Sequence, residues 1–242
     1  MKVQSIRGAK DILPEEIWKW QWVESIAYKV FSQYMFQEIR VPIFEDTRLF
    51  SRSIGETTDI VEKEMYTFED RAGDSITLRP EGTASVVRAY IEHKMYAQPS
   101  VIKMFYIGPM FRYERPQAGR LRQFYQIGVE AMGSYSPAID VEVMAMLIEF
   151  FRELGLHDMK LQINSLGNQN CRPQYRNTLK AAIEKYLNHL CKNCANRYER
   201  NPLRILDCKN EQCRKITQNL PKMIDYLDKI SQEHFDEVKT LL

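Results

Sequence analysis

The spacing of apolar residues predicts a long helix near the start of the chain and an extended segment after it. From Pro14 onward, the apolar positions follow the 3.6-residue period of an amphipathic helix: Val23, Ile26, Ala27, Val30, Phe31 and Tyr34. Residues 38–43 then alternate between polar and apolar side chains, which is typical of a strand. Because Pro42 cannot donate a hydrogen bond to a neighbouring strand, we expect this strand to lie at a sheet edge or to end there.

The same patterns predict a mixture of helices and strands over the rest of the chain. The predicted elements are a hairpin over 66–78 with its turn at 70–74, a helix over 83–94, strands over 101–106, 110–114 and 123–132, a helix over 139–154, a strand over 159–163 and a helix from Pro173. Consecutive strands joined by short turns favour an antiparallel sheet. We therefore expect an α+β fold, in which an antiparallel sheet is flanked by helices and followed by a mainly helical segment.

Side-chain alternation in two of these strands predicts a polar floor. Met110, Arg112 and Glu114 share one face of their strand, and Phe124, Gln126, Gly128 and Glu130 share one face of the next. Thr77, Arg79 and Glu81 give a third polar row, and the loop at 115–122 adds three arginines around Gly119. An anion binder, a stacking ring and several carboxylates suit a nucleotide together with a small cationic ligand. The alternative is an ordinary antiparallel sheet with one solvent-exposed face. Two residues on this face weigh against it: Gly128, which permits close approach of a ligand or backbone, and the aromatic Phe124.

Charge is distributed unevenly along the chain. The formal net charge is +2, but residues 160–222 carry 13 Lys and Arg against 4 Asp and Glu, whereas the remainder carries 21 against 28. A basic segment on an acidic body is expected where one module meets a phosphate backbone, and a solvated helical surface would explain it as well. We place the module boundary at Gly167, which gives a core over 1–167 and a basic segment over 168–242.

Four of the five cysteines cluster in the basic segment. Cys191 and Cys194 form one close pair, and Cys208 and Cys213 form a second, looser pair. Two short pairs are the usual source of four thiolates for a structural zinc ion. Reduced, partly buried cysteines are the alternative, and the sequence leaves both open.

Several motifs, taken in order, resemble one enzyme family. They are Arg7-Gly8-Ala9-Lys10-Asp11-Ile12-Leu13-Pro14, the helix and strand ending at Pro42, Thr77-Leu78-Arg79-Pro80-Glu81-Gly82-Thr83, the segment from Met110 to Glu130, and Asn201-Pro202-Leu203-Arg204-Ile205-Leu206-Asp207. The sequence resembles the class II aminoacyl-tRNA synthetases, and among them the histidyl-tRNA synthetase family. The helix and strand ending at Pro42 resemble motif 1 of the class, and the segment from Met110 to Glu130 resembles motif 2. Residues 1–167 would then be the catalytic core and residues 168–242 a helical insert with the start of the return to the core.

The resemblance implies an activity and a role for each matching residue. The reaction would be ATP-dependent activation of L-histidine to histidyl-adenylate, followed by transfer to tRNA-His, with Mg²⁺ accompanying the ATP and a homodimer as the assembly. Arg112 would be the catalytic residue, binding the α-phosphate and stabilising the charge of the transition state. The histidine-binding residues would be Glu81, Gly82, Thr83, Arg112, Gln126 and Glu130. The ATP-binding residues would be Arg112, Glu114, Arg120 and Phe124.

The sequence also departs from the family pattern. The motif 3 arginine, the histidine-specific Arg-Gly-Leu-Asp-Tyr-Tyr block and the anticodon-binding domain are missing, and no glycine follows Gly167. We therefore interpret the chain as an N-terminal fragment that aminoacylates poorly or not at all by itself. Met35 occupies a position where the family often has glycine, so we expect its turn to avoid positive φ.

A competing interpretation is the synthetase-like regulatory subunit of ATP phosphoribosyltransferase, which keeps the fold without aminoacylation. Such a paralogue would be expected to lose the motif 2 arginines and the cysteine-bearing insert, and both are present here. The chain has no apolar run near the roughly 20 residues of a membrane span and no signal-peptide core at its start. We accordingly expect a soluble, cytoplasmic protein with no membrane partner.

Overall fold

The computed structural model describes residues 3–54, 61 and 64–242. The chain divides into two compact units, Met1–Met159 and Lys160–Leu242. The module boundary predicted at Gly167 falls inside the second unit. The proposed functions of the ranges 1–167 and 168–242 stay predictions.

The first unit combines helices with two small sheets. Its helices are α1 (Pro14–Gln33), α2 (Thr47–Ile54), α3 (Thr83–Glu92) and α4 (Pro137–Glu153), and Met95–Ala97 forms a 3₁₀ turn. Its strands are β1 (Gln37–Glu38), β2 (Phe44–Asp46), β3 (Tyr66–Glu69), β4 (Ser75–Leu78), β5 (Ile102–Phe111) and β6 (Gln123–Met132). β1 pairs in parallel with β5, β5 pairs antiparallel with β6, and β2, β4 and β3 form a separate antiparallel sheet. Antiparallel pairing with flanking helices confirms the α+β prediction.

Helices α1 and α4 cover one face of the β5–β6 pair. The apolar stripe of α1 is buried as its period predicts, and it packs in one cluster with Phe105, Met146 and Phe150. The rings of Phe31 and Phe105 meet edge to face with their centroids 5.3 Å apart. Burial of each such side chain contributes about 1.5–3 kcal/mol to stability. This layer therefore holds the two strands rigidly and leaves their other face to form the site.

The two long helices end in the same backbone motif with different residues. The residue after the helix cap is Met35 in α1 and Gly155 in α4, with φ of 64° and 80°. In both helices this residue and the next one donate their N–H groups to carbonyls of the last turn, which is the Schellman motif. The prediction that Met35 avoids positive φ is wrong, because the capping hydrogen bonds hold it there at a cost of about 1–2 kcal/mol.

The segments predicted as separate strands at 101–106 and 110–114 form the single strand β5, which ends at Phe111. Pro109 does not interrupt it, and the hydrogen bonds explain why. The Pro109 carbonyl accepts from Nε of Arg79 at 2.9 Å, and the Phe111 N–H donates to the Arg79 carbonyl at 2.9 Å. Residues 109 and 111 direct their backbone groups toward Arg79 and not toward β6. The missing N–H of Pro109 therefore removes no hydrogen bond between β5 and β6.

Two other predicted strands are wrong. In the segment 38–43, only Glu38 belongs to a strand, β1, and the Val41 carbonyl instead accepts a hydrogen bond from Nη1 of Arg79 at 2.9 Å. Residues 159–163 pair with no strand in the part of the chain that the structure describes. Alternation over five residues is a weak signal, because strand formation depends on a partner that the local sequence does not specify.

The second unit is helical. Its helices are α5 (Arg172–Glu184), α6 (Lys192–Arg200), α7 (Glu211–Thr217) and α8 (Lys229–Leu241), with 3₁₀ turns over Leu187–His189, Pro202–Ile205 and Met223–Tyr226. The helix predicted from Pro173 is α5, which buries Tyr175, Leu179 and Ile183 in the core of this unit. The Tyr175 hydroxyl donates to the Pro221 carbonyl at 2.9 Å. Within the described residues, no helix combines the length and apolar character needed to cross a membrane.

Candidate active site

The register of β5 and β6 builds a floor on the sheet face opposite α1 and α4. Glu130 lies opposite Met104, Gln126 opposite Gly108, and Phe124 opposite Met110. Directly opposed residues of an antiparallel pair project from the same face. The structure thus confirms that Phe124, Gln126 and Glu130 share a face with Met110, as the alternation predicts.

Arg112 lies just beyond the end of β5, where it reaches across to the neighbouring segment. Its N–H donates to the Arg122 carbonyl at 2.8 Å, and its side-chain Nε donates to the Pro80 carbonyl at 2.9 Å. The guanidinium carbon is 5.2 Å from the centroid of the Phe124 ring. One of the five guanidinium N–H groups is thus used to orient the side chain over the floor, and its cation–π contact aligns it with a ring that can stack on a base.

Tyr106 is a central residue of this face that sequence reasoning missed. Its side chain is 3% exposed, and its ring lies between Gly82 and Gly128, where a Cβ atom on either glycine would come within 2.2 Å of the ring. Burial raises the pKa of Tyr106 to about 12, although a hydrogen bond with Thr83 opposes the shift. Side-chain alternation along β5 puts Tyr106 on the same face as Met104 and Met110, so the sequence pattern could have identified it. Gly128 therefore makes room for Tyr106, and the interpretation that this glycine admits a ligand is not needed.

Gln126 and Glu130 are polar side chains that are partly desolvated by burial. Oε1 of Gln126 is buried and has no hydrogen-bond partner among the residues that the structure describes. Burial raises the pKa of Glu130, a hydrogen bond with Thr83 lowers it, and the charge of Glu81 raises it again. An unpaired buried acceptor costs about 1–3 kcal/mol, and a desolvated carboxylate is similarly unfavourable. Both costs would be relieved by a ligand that carries hydrogen-bond donors or positive charge.

Glu81, Gly82 and Thr83 form the entry into helix α3. The Glu81 carboxylate accepts hydrogen bonds from the N–H groups of Thr83 and Ala84, each at 2.8 Å. It therefore satisfies donors that the first turn of a helix leaves without intrahelical partners. A carboxylate has about four acceptor positions, so Glu81 keeps the capacity to accept from a ligand as well.

Thr77 does not extend the floor, which corrects part of the prediction of a third polar row, whereas the guanidinium of Arg79 lies against Gly108, the residue opposite Gln126. Thr77 is fully buried in the β2–β4–β3 sheet, with its hydroxyl 2.9 Å from that of Thr47 and 2.8 Å from that of Thr67. Arg79 is 5% exposed, and burial lowers the pKa of its guanidinium. Its hydrogen bonds to the carbonyls of Pro109 and Val41 link β5 to the segment between β1 and β2. Both residues are structural.

The loop after Arg112 is anchored at its far end. Nη1 of Arg120 lies 3.2 Å from the Glu114 carboxylate, Arg122 lies over the Tyr113 ring at 4.4 Å, and Arg115 is exposed. The Arg122 N–H donates to the Gly8 carbonyl at 2.7 Å.

Gly8, within the N-terminal Arg7–Pro14 motif, has φ of 93°, and a Cβ atom there would lie 2.8 Å from Cγ of Arg122. A glycine is therefore required where the N-terminal segment crosses the loop.

The four clustered cysteines of the second unit also come together. The Sγ atoms of Cys191, Cys194, Cys208 and Cys213 all lie within 4.8 Å of one another, and none of them forms a disulfide. This is the one group of three or more potential metal ligands in the part of the chain that the structure describes.

The sheet, with an arginine stacked on an aromatic ring at its end and a helix entering over the floor, has the organisation of a class II aminoacyl-tRNA synthetase core. A family model described as histidyl-tRNA synthetase matches residues 8–193. The chain belongs to the histidyl-tRNA synthetase family.

Individual relatives agree with this assignment. The chain is 57% identical over 242 residues to the histidine–tRNA ligase of Halothermothrix orenii, covering 100% of this chain and 58% of that protein. It superimposes on the crystal structure of apo S. aureus histidyl-tRNA synthetase with a TM-score of 0.76 and 39% identity, covering 100% of this chain and 54% of that one. A Bacillus halodurans structure titled ATP phosphoribosyltransferase regulatory subunit/histidyl-tRNA synthetase matches with a TM-score of 0.64 at 17% identity, covers 100% of this chain and 66% of that one, and shows the fold alone. The chain spans somewhat more than half the length of the curated relatives it matches.

Proposed function

We propose that this chain carries the histidine-activating part of a histidine–tRNA ligase. In the proposed reaction, the carboxylate of L-histidine attacks the α-phosphate of ATP to give histidyl-adenylate and pyrophosphate, and the histidyl group then passes to the terminal ribose of tRNA-His. The observation that carries the proposal is the presence of the unpaired buried acceptor of Gln126 and the desolvated carboxylate of Glu130 on one floor with Arg112 and Phe124. A bound amino acid with an ammonium group and a ring N–H would satisfy both acceptors.

Arg112 is suited to the α-phosphate because its orientation is fixed before any ligand binds. The hydrogen bond to Pro80 and the contact with Phe124 hold the guanidinium, and no carboxylate among the described residues forms an ion pair with it. A preorganised cation stabilises negative charge that develops on a transferring phosphoryl oxygen. Phe124 would stack on the adenine ring, and Glu114 would accept from the adenine amino group.

The histidine ligand would lie over the other end of the floor. Gln126, Glu81 and Thr83 would hold the α-ammonium group, since an amide oxygen, a carboxylate and a hydroxyl all accept hydrogen bonds from a cation. Gly82 would contribute its backbone beside them, since the space that a side chain there would occupy is filled by the Tyr106 ring. Glu130 would accept the imidazole N–H, and its burial beside Thr83 makes a charged or hydrogen-bonded partner more favourable there than water.

Mg²⁺ supplies charge neutralisation to the triphosphate when it is bound with ATP. It usually binds through substrate phosphates and only one or two carboxylates. The described residues of the floor fit this mode, because their carboxylates do not gather into a protein cage of three or more ligands. Arg120 and Arg115 would meet the outer phosphates or the tRNA end.

The remaining partners follow from the same proposal. The segment 160–222, with its excess of Lys and Arg, would approach the phosphate backbone of tRNA-His through salt-sensitive contacts. The complete protein would work in the cytoplasm as a homodimer. Exposed Trp18 and Trp22 on α1, at 58% and 48%, support an interface on the first unit.

The test is a calorimetric titration of the 242-residue chain with L-histidine, with and without ATP and Mg²⁺. We expect saturable binding that is lost in Glu130→Ala and kept in Glu69→Ala, an exposed strand glutamate away from the floor. Saturable binding that survives Glu130→Ala would contradict the assignment of this residue. Failure of wild type to bind histidine, with or without ATP, would contradict histidine recognition by this chain and favour a regulatory, non-aminoacylating role.

A further inference from the structure

The cysteine cluster lies outside the proposed active site and draws its members from two short segments. Cys191 immediately precedes α6 and Cys194 lies in its first turn, whereas Cys208 follows the 3₁₀ turn at Pro202–Ile205 and Cys213 lies in α7. The Asn210 side chain caps α7 by accepting from the N–H of Cys213 at 3.3 Å. Each pair therefore lies at or near the start of a short helix.

The distances between the sulfur atoms match a single tetrahedral ion. Zn–S bonds of about 2.3 Å place the four sulfurs of a tetrahedral site about 3.8 Å apart. Sγ of Cys191 is already 3.9 Å from Sγ of Cys208, and no pair in the cluster exceeds 4.8 Å. A bound ion would thus require a contraction of no more than about 1 Å for any pair. A disulfide would require one pair to close to about 2.05 Å.

The surroundings of the cluster are compatible with four sulfur ligands on one ion. The Cys191 N–H donates to Sγ of Cys213 at 3.3 Å, which joins the two segments through a hydrogen bond of the kind that orients metal-bound sulfur. Cys194 and Cys213 are fully buried, and Cys191 and Cys208 are half-buried, so the four sulfur atoms are partly shielded from solvent. Lys209 and Arg214 line a cleft with Cys208, and their charge would offset the net negative charge of one Zn²⁺ with four thiolates.

We propose that Cys191, Cys194, Cys208 and Cys213 bind one structural Zn²⁺. Four protein thiolates complete a tetrahedral site and leave no position for substrate, which distinguishes a structural zinc from a catalytic one. The ion would cross-link α6 and α7 and so stabilise the basic segment of the second unit. An iron–sulfur cubane fits less well, because its four thiolates bind four separate iron atoms and stand farther apart than ligands of one ion.

The test measures metal content in the full 242-residue chain, purified without chelators and in the presence of reductant. We expect about one zinc per chain by elemental analysis, and, after exchange with Co²⁺, the intense visible absorption of tetrahedral cobalt thiolate. Cys194→Ser and Cys208→Ser should lose the zinc. Cys171→Ser is the matched control, because Cys171 is also buried in this unit but lies outside the cluster, with its Sγ accepting from the Asn168 N–H at 3.2 Å.

The outcomes separate the metal site from plain buried thiols. Zinc near zero in wild type with no cobalt–thiolate spectrum would overturn the proposal, as would iron in place of zinc or zinc retained in full by both cluster variants. The cobalt spectrum of wild type decides the question even where a variant does not fold, which circular dichroism would reveal. Chelation of the wild-type metal should also lower the melting temperature, because metal binding is coupled to folding.

Discussion

The contact between Tyr106 and Gly128 predicts that Gly128→Ala destabilises the first unit. An added Cβ would lie 2.2 Å from Cζ of Tyr106, whereas carbon atoms in favourable contact are about 3.5–4.0 Å apart. The backbone of Gly82 packs against the same ring, because a Cβ added there would also lie 2.2 Å from it. Tyr106 is 3% exposed. The ring therefore cannot move aside, and β5 and β6 must shift instead.

The expected size of the effect follows from general packing energetics. Overpacking a core destabilises a protein by about 1–3 kcal/mol. Alanine is more favourable than glycine inside a strand by about 0.5–1 kcal/mol, which offsets part of this cost. For a protein of this length, each kcal/mol lowers the melting temperature by about 2–4 °C. Thermal unfolding followed by circular dichroism should thus show a fall of several degrees for Gly128→Ala. In a Tyr106→Ala background the same substitution should be neutral or stabilising, because the clash is gone.

The paired measurement also shows which role Gly128 has. An equal loss of stability in both backgrounds would refute the steric explanation. An unchanged melting temperature combined with weaker histidine binding would mean that Gly128 makes room for a ligand rather than for Tyr106.

Three further predictions address the capping strain, the buried carboxylate and the phosphate-binding arginine. Met35→Gly should stabilise the protein by about 0.5–1 kcal/mol because relief of left-handed strain exceeds the entropy cost of glycine, whereas Gly155→Met should destabilise it; a lower melting temperature for Met35→Gly would contradict this. Since the folded pKa of Glu130 is raised, protonation favours the folded state, and this stability is fully present below the unfolded pKa and is lost as pH rises through the folded pKa. Glu130→Gln should therefore melt above wild type at pH 7 and converge with it near pH 4, in a melting series across that range; a variant less stable than wild type at pH 7 would count against desolvation. Arg112→Lys should weaken ATP binding about tenfold or more, because lysine lacks the planar fork, while exposed Arg71→Lys should not, and equal titration curves for the two variants would rule out the assigned role.

Local sequence patterns determined those features that depend on neighbours along the chain. The period of α1, the hairpin of β3 and β4 and the shared face of Phe124, Gln126 and Glu130 are all correctly predicted, because helical and strand periodicities are set by backbone geometry. The closeness of the two members of each cysteine pair also followed from spacing, since short gaps cannot carry them far apart, whereas the meeting of the two pairs depends on packing.

Contacts between distant segments decided the rest. Nothing local indicates that Tyr106 lies between two glycines or that Arg79 bonds the carbonyl of Pro109, because each depends on how separate elements pack. The Arg79 contact also lets β5 run through Pro109, and residues 159–163 find no partner strand in the described part of the chain. Met35 adopts positive φ for a local reason instead, since the Schellman bonds of α1 outweigh a preference that the residue type shows in isolation. Residue type and spacing thus determined which groups the site contains, whereas tertiary packing decided which of them face a ligand and which hold the protein together.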